Sequence, residues 1–159
     1  MESWDLRVFS RTDDRDVFDA VVIRTDYRDE QAWQIVKAAL AKVSFEGVEY
    51  SPRAWIIDDP TWADASVDET LAAVAASEPL KGLEVLFIAD KVTMHAAHHA
   101  LMAVTTATRN EDGVINYDRA FRTVPEGIQS IHVNLELGSM GFEEFATVAH
   151  YDPEDVYRP

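Results

Sequence analysis

The sequence predicts an α/β fold in a single domain of two or three layers. Its mixed sheet is expected to contain a parallel β-α-β-α-β core. Three apolar runs carry this prediction, and each stops on an aspartate: residues 20–26, 54–59 and 85–90. The aspartates Asp26, Asp58 and Asp90 are evenly spaced at intervals of 32 residues. Segments with helical periodicity separate the runs, so right-handed crossovers would make the three strands parallel.

The first half of the chain alternates predicted strands and helices. Strand one is predicted over residues 20–25, strand two over 53–58 and strand three over 84–89. Asp29 is a good N-cap for the helix between the first two strands, and a capping box at residues 66–69 starts the helix between the second pair. Apolar residues recur at helical spacing in the first helix and define one buried stripe: Trp33, Val36, Leu40 and Val43.

The organisation changes after the third strand. Residues 100–106 and 120–124 are apolar and β-branched, and the turn signal at residues 110–113 lies between them. This pattern predicts an antiparallel hairpin added at one side of the sheet.

Two C-terminal helices complete the predicted domain. Pro125 suits the first turn of one helix, which Gly138 would end, and Ser139 is expected to cap the other. The tail, residues 150–159, is expected to be irregular. Residues 1–19 are expected to form an N-terminal arm that precedes a single domain over residues 20–159.

Composition narrows the classes of protein that fit. The chain has 159 residues, no cysteine and a formal net charge of -15. A length of this order suits one hydrophobic core, and the missing cysteines exclude disulfides and cysteine-ligated zinc. The strong negative charge repels nucleic acids and anionic membranes, so we expect neither as a partner. No signal-peptide pattern or apolar run of about 18 residues is present, and a cytoplasmic location is expected.

The three aspartates nominate one edge of the sheet as a binding site, because ligands bind at the carboxyl ends of parallel strands. Oxygen ligands of this kind suit magnesium-dependent phosphoryl transfer. The same aspartates could instead cap helices or pair with arginines, although Asp29, Ser66 and Thr93 are better placed to cap. We take the following as a candidate binding edge: Arg24, Asp26, Tyr27, Asp58, Asp59, Trp62, Asp90 and Arg122.

The metal prediction rests on few residues. Asp26, Asp58 and Asp90 are one candidate set for a divalent ion, and His95 with His99 would be another if a helix placed them one turn apart. No glycine-rich phosphate-binding motif accompanies them. The expectation is therefore that the protein carries no cofactor, with magnesium as the alternative.

Two aromatic residues favour a binding role for this edge. Tyr27 follows Asp26, and Trp62 lies in the loop after Asp58 and Asp59. Aromatic side chains surrounded by charge are typical anchors of protein interfaces. Two readings are equally open: the rings are exposed anchors, or they fold back over the end of the sheet.

Several short motifs in order resemble a domain family of unknown function found widely in actinobacteria. They are Arg24-Thr25-Asp26 with Trp33, Asp58-Asp59-Pro60, Ala89-Asp90, Phe121-Arg122 with Pro125, Asn134-Leu135, and residues 140–145. The resemblance covers about residues 20–158. It implies no activity, but the charged residues of the candidate edge belong to its pattern, whereas the histidine cluster does not.

Two functional hypotheses follow from the sequence. The first is a protein-binding or regulatory module without catalysis, including an immunity-type protein that blocks a basic protein partner. The second is a divalent-metal-dependent hydrolase or phosphotransferase that uses the strand-end aspartates Asp26, Asp58 and Asp90.

Overall fold

The computed structural model describes Arg15 and residues 17–41, 54–80, 82–106 and 120–159. Within these ranges the chain forms one mixed six-stranded sheet. Its strands, in chain order, are β1 (Ala20–Arg24), β2 (Ala54–Ile57), β3 (Val85–Ala89), β4 (Leu101–Thr105), β5 (Phe121–Thr123) and β6 (Val156–Tyr157).

The sheet has the spatial order β2-β1-β3-β4-β5-β6. Strand β1 lies at the centre of the parallel part and pairs with both β2 and β3. Strand β4 runs antiparallel to β3 and to β5. The predicted parallel core and the predicted antiparallel addition are therefore both confirmed, while the turn signal at residues 110–113 falls outside the described residues.

Five α-helices accompany the sheet in the described ranges: α1 (Glu30–Ala41), α2 (Val67–Ala76), α3 (Lys91–His95), α4 (Ile128–Leu137) and α5 (Phe142–His150). Asp29 caps α1, as predicted, by accepting a hydrogen bond from the backbone N–H of Ala32 at 3.0 Å. Ser66 and Glu69 form the predicted capping box of α2. None of the helices in these ranges has the length and apolar character needed to span a bilayer.

Each face of the sheet is covered, so the domain has three layers. Side chains alternate along β1, with Ala20 and Val22 on one face and Val21 and Ile23 on the other. Helices α1, α4 and α5 pack on the first face, and α2 with Trp62 and Leu80 packs on the second. Burial on both faces explains why the central strands read as continuous apolar runs.

Two predictions for the C-terminal region were wrong. The N-cap of α5 is Gly141, whereas the Ser139 hydroxyl donates to the Asn134 side-chain oxygen at 2.7 Å. The tail is not irregular throughout, because β6 pairs in parallel with β5. Val156 is buried, and the Tyr157 ring packs edge-on against Phe145 at 5.2 Å. A strand of two residues is too short to produce a periodic signal in the sequence.

The two serines provide a matched test of helix capping. Replacing Ser66 by alanine removes the side-chain acceptor for the Glu69 N–H, and we expect a loss of about 1 kcal/mol in unfolding free energy. Replacing the exposed Ser139, which is no N-cap and whose hydroxyl reaches the Asn134 carbonyl of α4 only at 3.4 Å, should change it by less than about 0.5 kcal/mol. Urea unfolding of both variants measures the difference, and equal losses would contradict the assignment of caps.

Candidate functional site

The carboxyl ends of β1, β2 and β3 meet at one edge of the sheet, as the parallel pairing requires. Strand β4 begins at this edge and β5 ends there, because each runs antiparallel to its neighbour. We call this region the carboxylate edge and define it by these residues: Arg24, Asp26, Tyr27, Asp58, Asp59, Asp90 and Arg122. The edge combines residues from four strands that are far apart in sequence.

A buried arginine organises the first part of the carboxylate edge. Arg24, at the end of β1, is only 2% exposed. Its guanidinium carbon lies 4.0 Å from the centre of the Tyr27 ring and 5.0 Å from that of Trp33. Contacts of this kind replace part of the hydration that the buried cation has lost. Tyr27 is half-buried at this position and lies against the guanidinium of Arg24.

Carboxylates and a main-chain oxygen complete the coordination of this cation. The Arg24 Nε donates to the backbone oxygen of Asp26 at 2.9 Å, and Nη2 donates to Glu30 at 2.9 Å. The remaining nitrogen, Nη1, lies 3.5 Å from Asp58 Oδ1, while the Trp33 indole donates to Asp58 Oδ2 at 3.2 Å. Asp58 is thus held by both β1 and α1.

Tyr27 keeps its proton in this environment. Burial raises the pKa of the Tyr27 hydroxyl, and the neighbouring Asp58 carboxylate raises it further. A tyrosine that remains neutral at physiological pH offers an aromatic face to Arg24 but no nucleophilic phenolate. Its position indicates a packing role at the carboxylate edge.

A second arginine holds the end of β3. Arg122 on β5 forms two hydrogen bonds with Asp90, of 2.7 Å to Oδ1 and 2.8 Å to Oδ2. Burial alone would raise the pKa of Asp90, but the bonds and charge of Arg122, with hydrogen bonds from Thr93, hold that pKa below its ordinary value. This bidentate pair joins β5 to the end of β3 across the intervening β4.

Asp90 also caps α3, which corrects the expectation that Thr93 is the better cap. The Asp90 carboxylate accepts from the Thr93 N–H at 3.1 Å, and the Thr93 hydroxyl oxygen accepts from the Asp90 N–H at 3.1 Å. Thr93 therefore lies three positions inside the helix, as the reciprocal partner of the cap.

Asp26 is the most deeply buried of the three strand-end aspartates, with 1% exposure. Its Oδ1 accepts from the Arg28 Nε at 2.8 Å, and the Arg28 side chain reaches within 3.9 Å of Asp64. The backbone before Asp26 is fixed, because Thr25 donates to Ala89 at 2.9 Å and accepts from Asp64 at 2.8 Å. Each of the three aspartates thus contacts a different arginine.

The loop after β2 places its two candidate residues differently. Asp59 remains at the carboxylate edge and caps a short 3-10 helix, Pro60–Trp62, by accepting from the Thr61 N–H at 3.0 Å. Trp62 is fully buried in the second face of the sheet. The alternative in which Trp62 is an exposed anchor is therefore wrong, because the 3-10 turn directs its indole inward.

His95 and His99 do not lie one turn apart on a helix, so the condition for the candidate histidine site is not met. Helix α3 ends at His95, and His99 lies in the following loop with a φ of 52°. The His98 Nδ1 accepts from the Ala100 N–H at 3.0 Å, and the His99 Nδ1 lies 2.9 Å from the Thr93 main-chain oxygen. Among the described residues, no group of three or more histidine, aspartate or glutamate side chains is placed to hold a metal ion.

A comparison with known domain families identifies the family to which the chain belongs. A domain family described as Domain of unknown function (DUF6924) matches residues 19–159. The chain belongs to this family. The resemblance to a family of unknown function is therefore confirmed, and the DUF6924 match includes the whole carboxylate edge. Among curated proteins, none matches the sequence.

The sequence did not reveal all the partners at this edge of the DUF6924 domain. Trp33 was assigned to the apolar stripe of α1, and its indole N–H also binds Asp58. Glu30, in the first turn of α1, accepts directly from Arg24, and its position in the sequence does not indicate this contact. Arg28 lies two residues after Asp26, and that close spacing was the available signal for their pairing.

A second polar site lies away from the carboxylate edge, on α4. His132 is fully buried, and its Nε2 lies 2.8 Å from the Val17 main-chain oxygen. Burial lowers the pKa of His132 to about 4, and the nearby Arg15 also lowers it, against opposing effects of the Val17 bond and Asp19. His132 is therefore neutral near pH 7 and donates from Nε2.

Loss of the ion pair between Arg122 and Asp90 should lower the stability of the domain. Replacing Arg122 by methionine leaves the Asp90 carboxylate without its bidentate donor, and we expect unfolding free energy at pH 7 to fall by about 1–3 kcal/mol. The lowered pKa of Asp90 stabilises the fold above the unfolded-state pKa, and this stabilisation is lost as pH falls through the folded-state value. The variant should therefore lose stability less steeply in acid.

Arg158 provides the control for this substitution. It is exposed and pairs with Asp152 and Glu154, so its replacement by methionine should cost at most about 1 kcal/mol. Urea unfolding at several pH values measures both variants. Equal costs for the two arginines at pH 7 would contradict a structural role of the Arg122 pair.

The buried His132 should add a separate pH dependence to the unfolding free energy. Its folded-state pKa is below its unfolded value, so the unfolded chain binds the extra proton first as the solution is acidified. Stability should fall between about pH 6.5 and pH 4. Replacing His132 by glutamine should flatten this part of the profile, whereas replacing the exposed His150 should not. An unchanged slope in the His132 variant would exclude this origin.

Proposed function

We propose that this DUF6924 domain is a non-catalytic binding or regulatory module that engages a basic protein partner at the carboxylate edge. The observation that carries the proposal is the distribution of exposed charge. The Arg24 side chain is 3% exposed, whereas those of Glu30 and Asp58, which bind it, are 66% and 38% exposed. The cation lies beneath the surface, and the carboxylates face the solvent.

The acidic surface extends along the loop after β2. We call Glu30, Asp58, Asp59 and Asp64 the acidic rim. The Asp64 side chain is 80% exposed, and Asp59 is partly exposed beside Asp58. With a net charge of -15 for the chain, this rim would attract a positively charged protein and orient it during association.

The pairing of the aspartates favours binding over metal-dependent catalysis. Both oxygens of Asp58 are contacted by Arg24 and Trp33, and both oxygens of Asp90 accept from Arg122. A divalent ion at these carboxylates would have to compete with the positive charges of Arg24 and Arg122 that already lie beside them. The proposal therefore assigns the strand-end aspartates to the shape and charge of a surface.

The chain has no cysteine, so its fold depends on no disulfide and suits a reducing compartment such as the cytoplasm. An immunity-type role is one form of the proposed function. In that form, the acidic rim would cover a basic surface of a toxic enzyme and prevent access of its substrate.

A pair of charge variants tests the proposal. Asn in place of Asp59 and Asp64 removes two rim charges while retaining the capping oxygen at 59 and a residue that tolerates the positive φ at 64. The control replaces Glu78 and Glu84, near the opposite edge of the sheet, by glutamine. We expect the rim variant to bind its basic partner at least about fivefold more weakly, and the control to stay within about twofold.

The partner is first captured from cells of the native source, identified, purified and then titrated by calorimetry at several salt concentrations. Loss of affinity that is equal in the rim and control variants would contradict the proposed surface, as would the absence of any salt-sensitive basic partner. A rise in melting temperature with magnesium or manganese that Asp58→Asn abolishes would support the metal-dependent hydrolase instead.

A further inference from the structure

Asp26 differs from the other two strand-end aspartates in one respect. Its side chain is 2% exposed, and its Oδ2 has no hydrogen-bond partner among the described residues. The Oδ1 atom alone is bound, by the Nε of Arg28. Asp26 therefore has an unused acceptor oxygen beside the acidic rim.

An unused oxygen on a buried carboxylate is energetically unfavourable. Each ionised carboxylate can accept several hydrogen bonds, and burial removes the water that would otherwise supply the donors. Asp90 shows the satisfied arrangement in the same domain, since Arg122 donates to both of its oxygens. A second donor at Asp26 Oδ2 would give Asp26 hydrogen bonds at both oxygens, as Asp90 has.

Arg28 is attached to this carboxylate through a single nitrogen and otherwise faces the solvent. Its side chain is 60% exposed, and its closest approach to Asp64 is 3.9 Å. It lies in the loop between β1 and α1, outside both elements. Rotation of the Arg28 side chain into solvent would release the Asp26 Oδ1 acceptor without moving either element.

We propose that Asp26 receives a guanidinium group from an arginine of the partner protein, and that Arg28 occupies this carboxylate until the partner displaces it. The inference rests on the proposed function and names the side chain recognised at its surface. A guanidinium fits because its planar pair of N–H groups can bind both carboxylate oxygens at once. Asp64 lies beside the same position and adds a second negative charge.

Arg28 is then a competitor for the site, so removing it strengthens binding. The incoming arginine must break the pair between Arg28 and Asp26, and this lowers its apparent affinity. In a variant without Arg28 no pair has to be broken. Arg158 offers a matched control, because its removal changes the net charge equally and leaves Asp26 unaltered. It pairs with Asp152 and Glu154 instead.

The test titrates the wild-type domain, Arg28→Ala and Arg158→Ala with the peptide acetyl-Gly-Arg-Gly-amide and with its lysine counterpart. Backbone amide chemical shifts of residues 26–28 report binding. We expect Arg28→Ala to bind the arginine peptide about fivefold more tightly than either other protein, and more tightly than it binds the lysine peptide. Adding Asp26→Asn to Arg28→Ala should remove the gain.

Equal affinities of Arg28→Ala and Arg158→Ala for the arginine peptide would overturn the inference, and so would a gain that persists with Asp26→Asn. Circular dichroism checks the fold of the double variant; if that variant is unfolded, the comparison of the two arginine variants decides. Unchanged binding of an identified basic partner by Arg28→Ala would reject only this inference. A peptide site at Asp26 without any basic protein partner would reject the proposed function and leave only an arginine-binding carboxylate at Asp26.

Discussion

The buried guanidinium of Arg24 is the contact on which the carboxylate edge depends. It joins the end of β1 to Glu30 on α1 and to Asp58 after β2, and it stacks against Tyr27 and Trp33. A buried cation is stable only when every donor finds an acceptor, so its neighbours have little freedom to move. Arg24 thereby fixes where the first helix begins relative to the sheet.

The three strand-end aspartates occupy equivalent places in the topology, but each has a different structural role. Asp58 receives donors from a strand and a helix, whereas Asp90 caps a helix while clamping a distant strand. Among the described residues, the Asp26 carboxylate is bonded to a single arginine, Arg28 of its own loop. Regular spacing in the sequence therefore reflects the repeating strand and helix units, and does not make the aspartates one set of ligands.

Much of the fold could be predicted because its central strands are long apolar runs separated by well-marked helix starts. The features that were missed depend on contacts between distant segments. Strand β6 exists because Val156 and Tyr157 meet β5, and Trp62 is buried because a 3-10 turn directs it inward. At the candidate site, the sequence located the edge and its charged residues, but it could not assign Asp90 to a cap or pair each aspartate with its arginine.

The position of Trp33 gives the carboxylate edge an internal optical reporter. Its ring is fully buried beside Arg24, and its indole N–H is bonded to Asp58. Any event that draws Asp58 or Arg24 toward a bound molecule alters the polarity and hydrogen bonding of this fluorophore. Under the proposed function, a partner that displaces either group would therefore change the emission of Trp33.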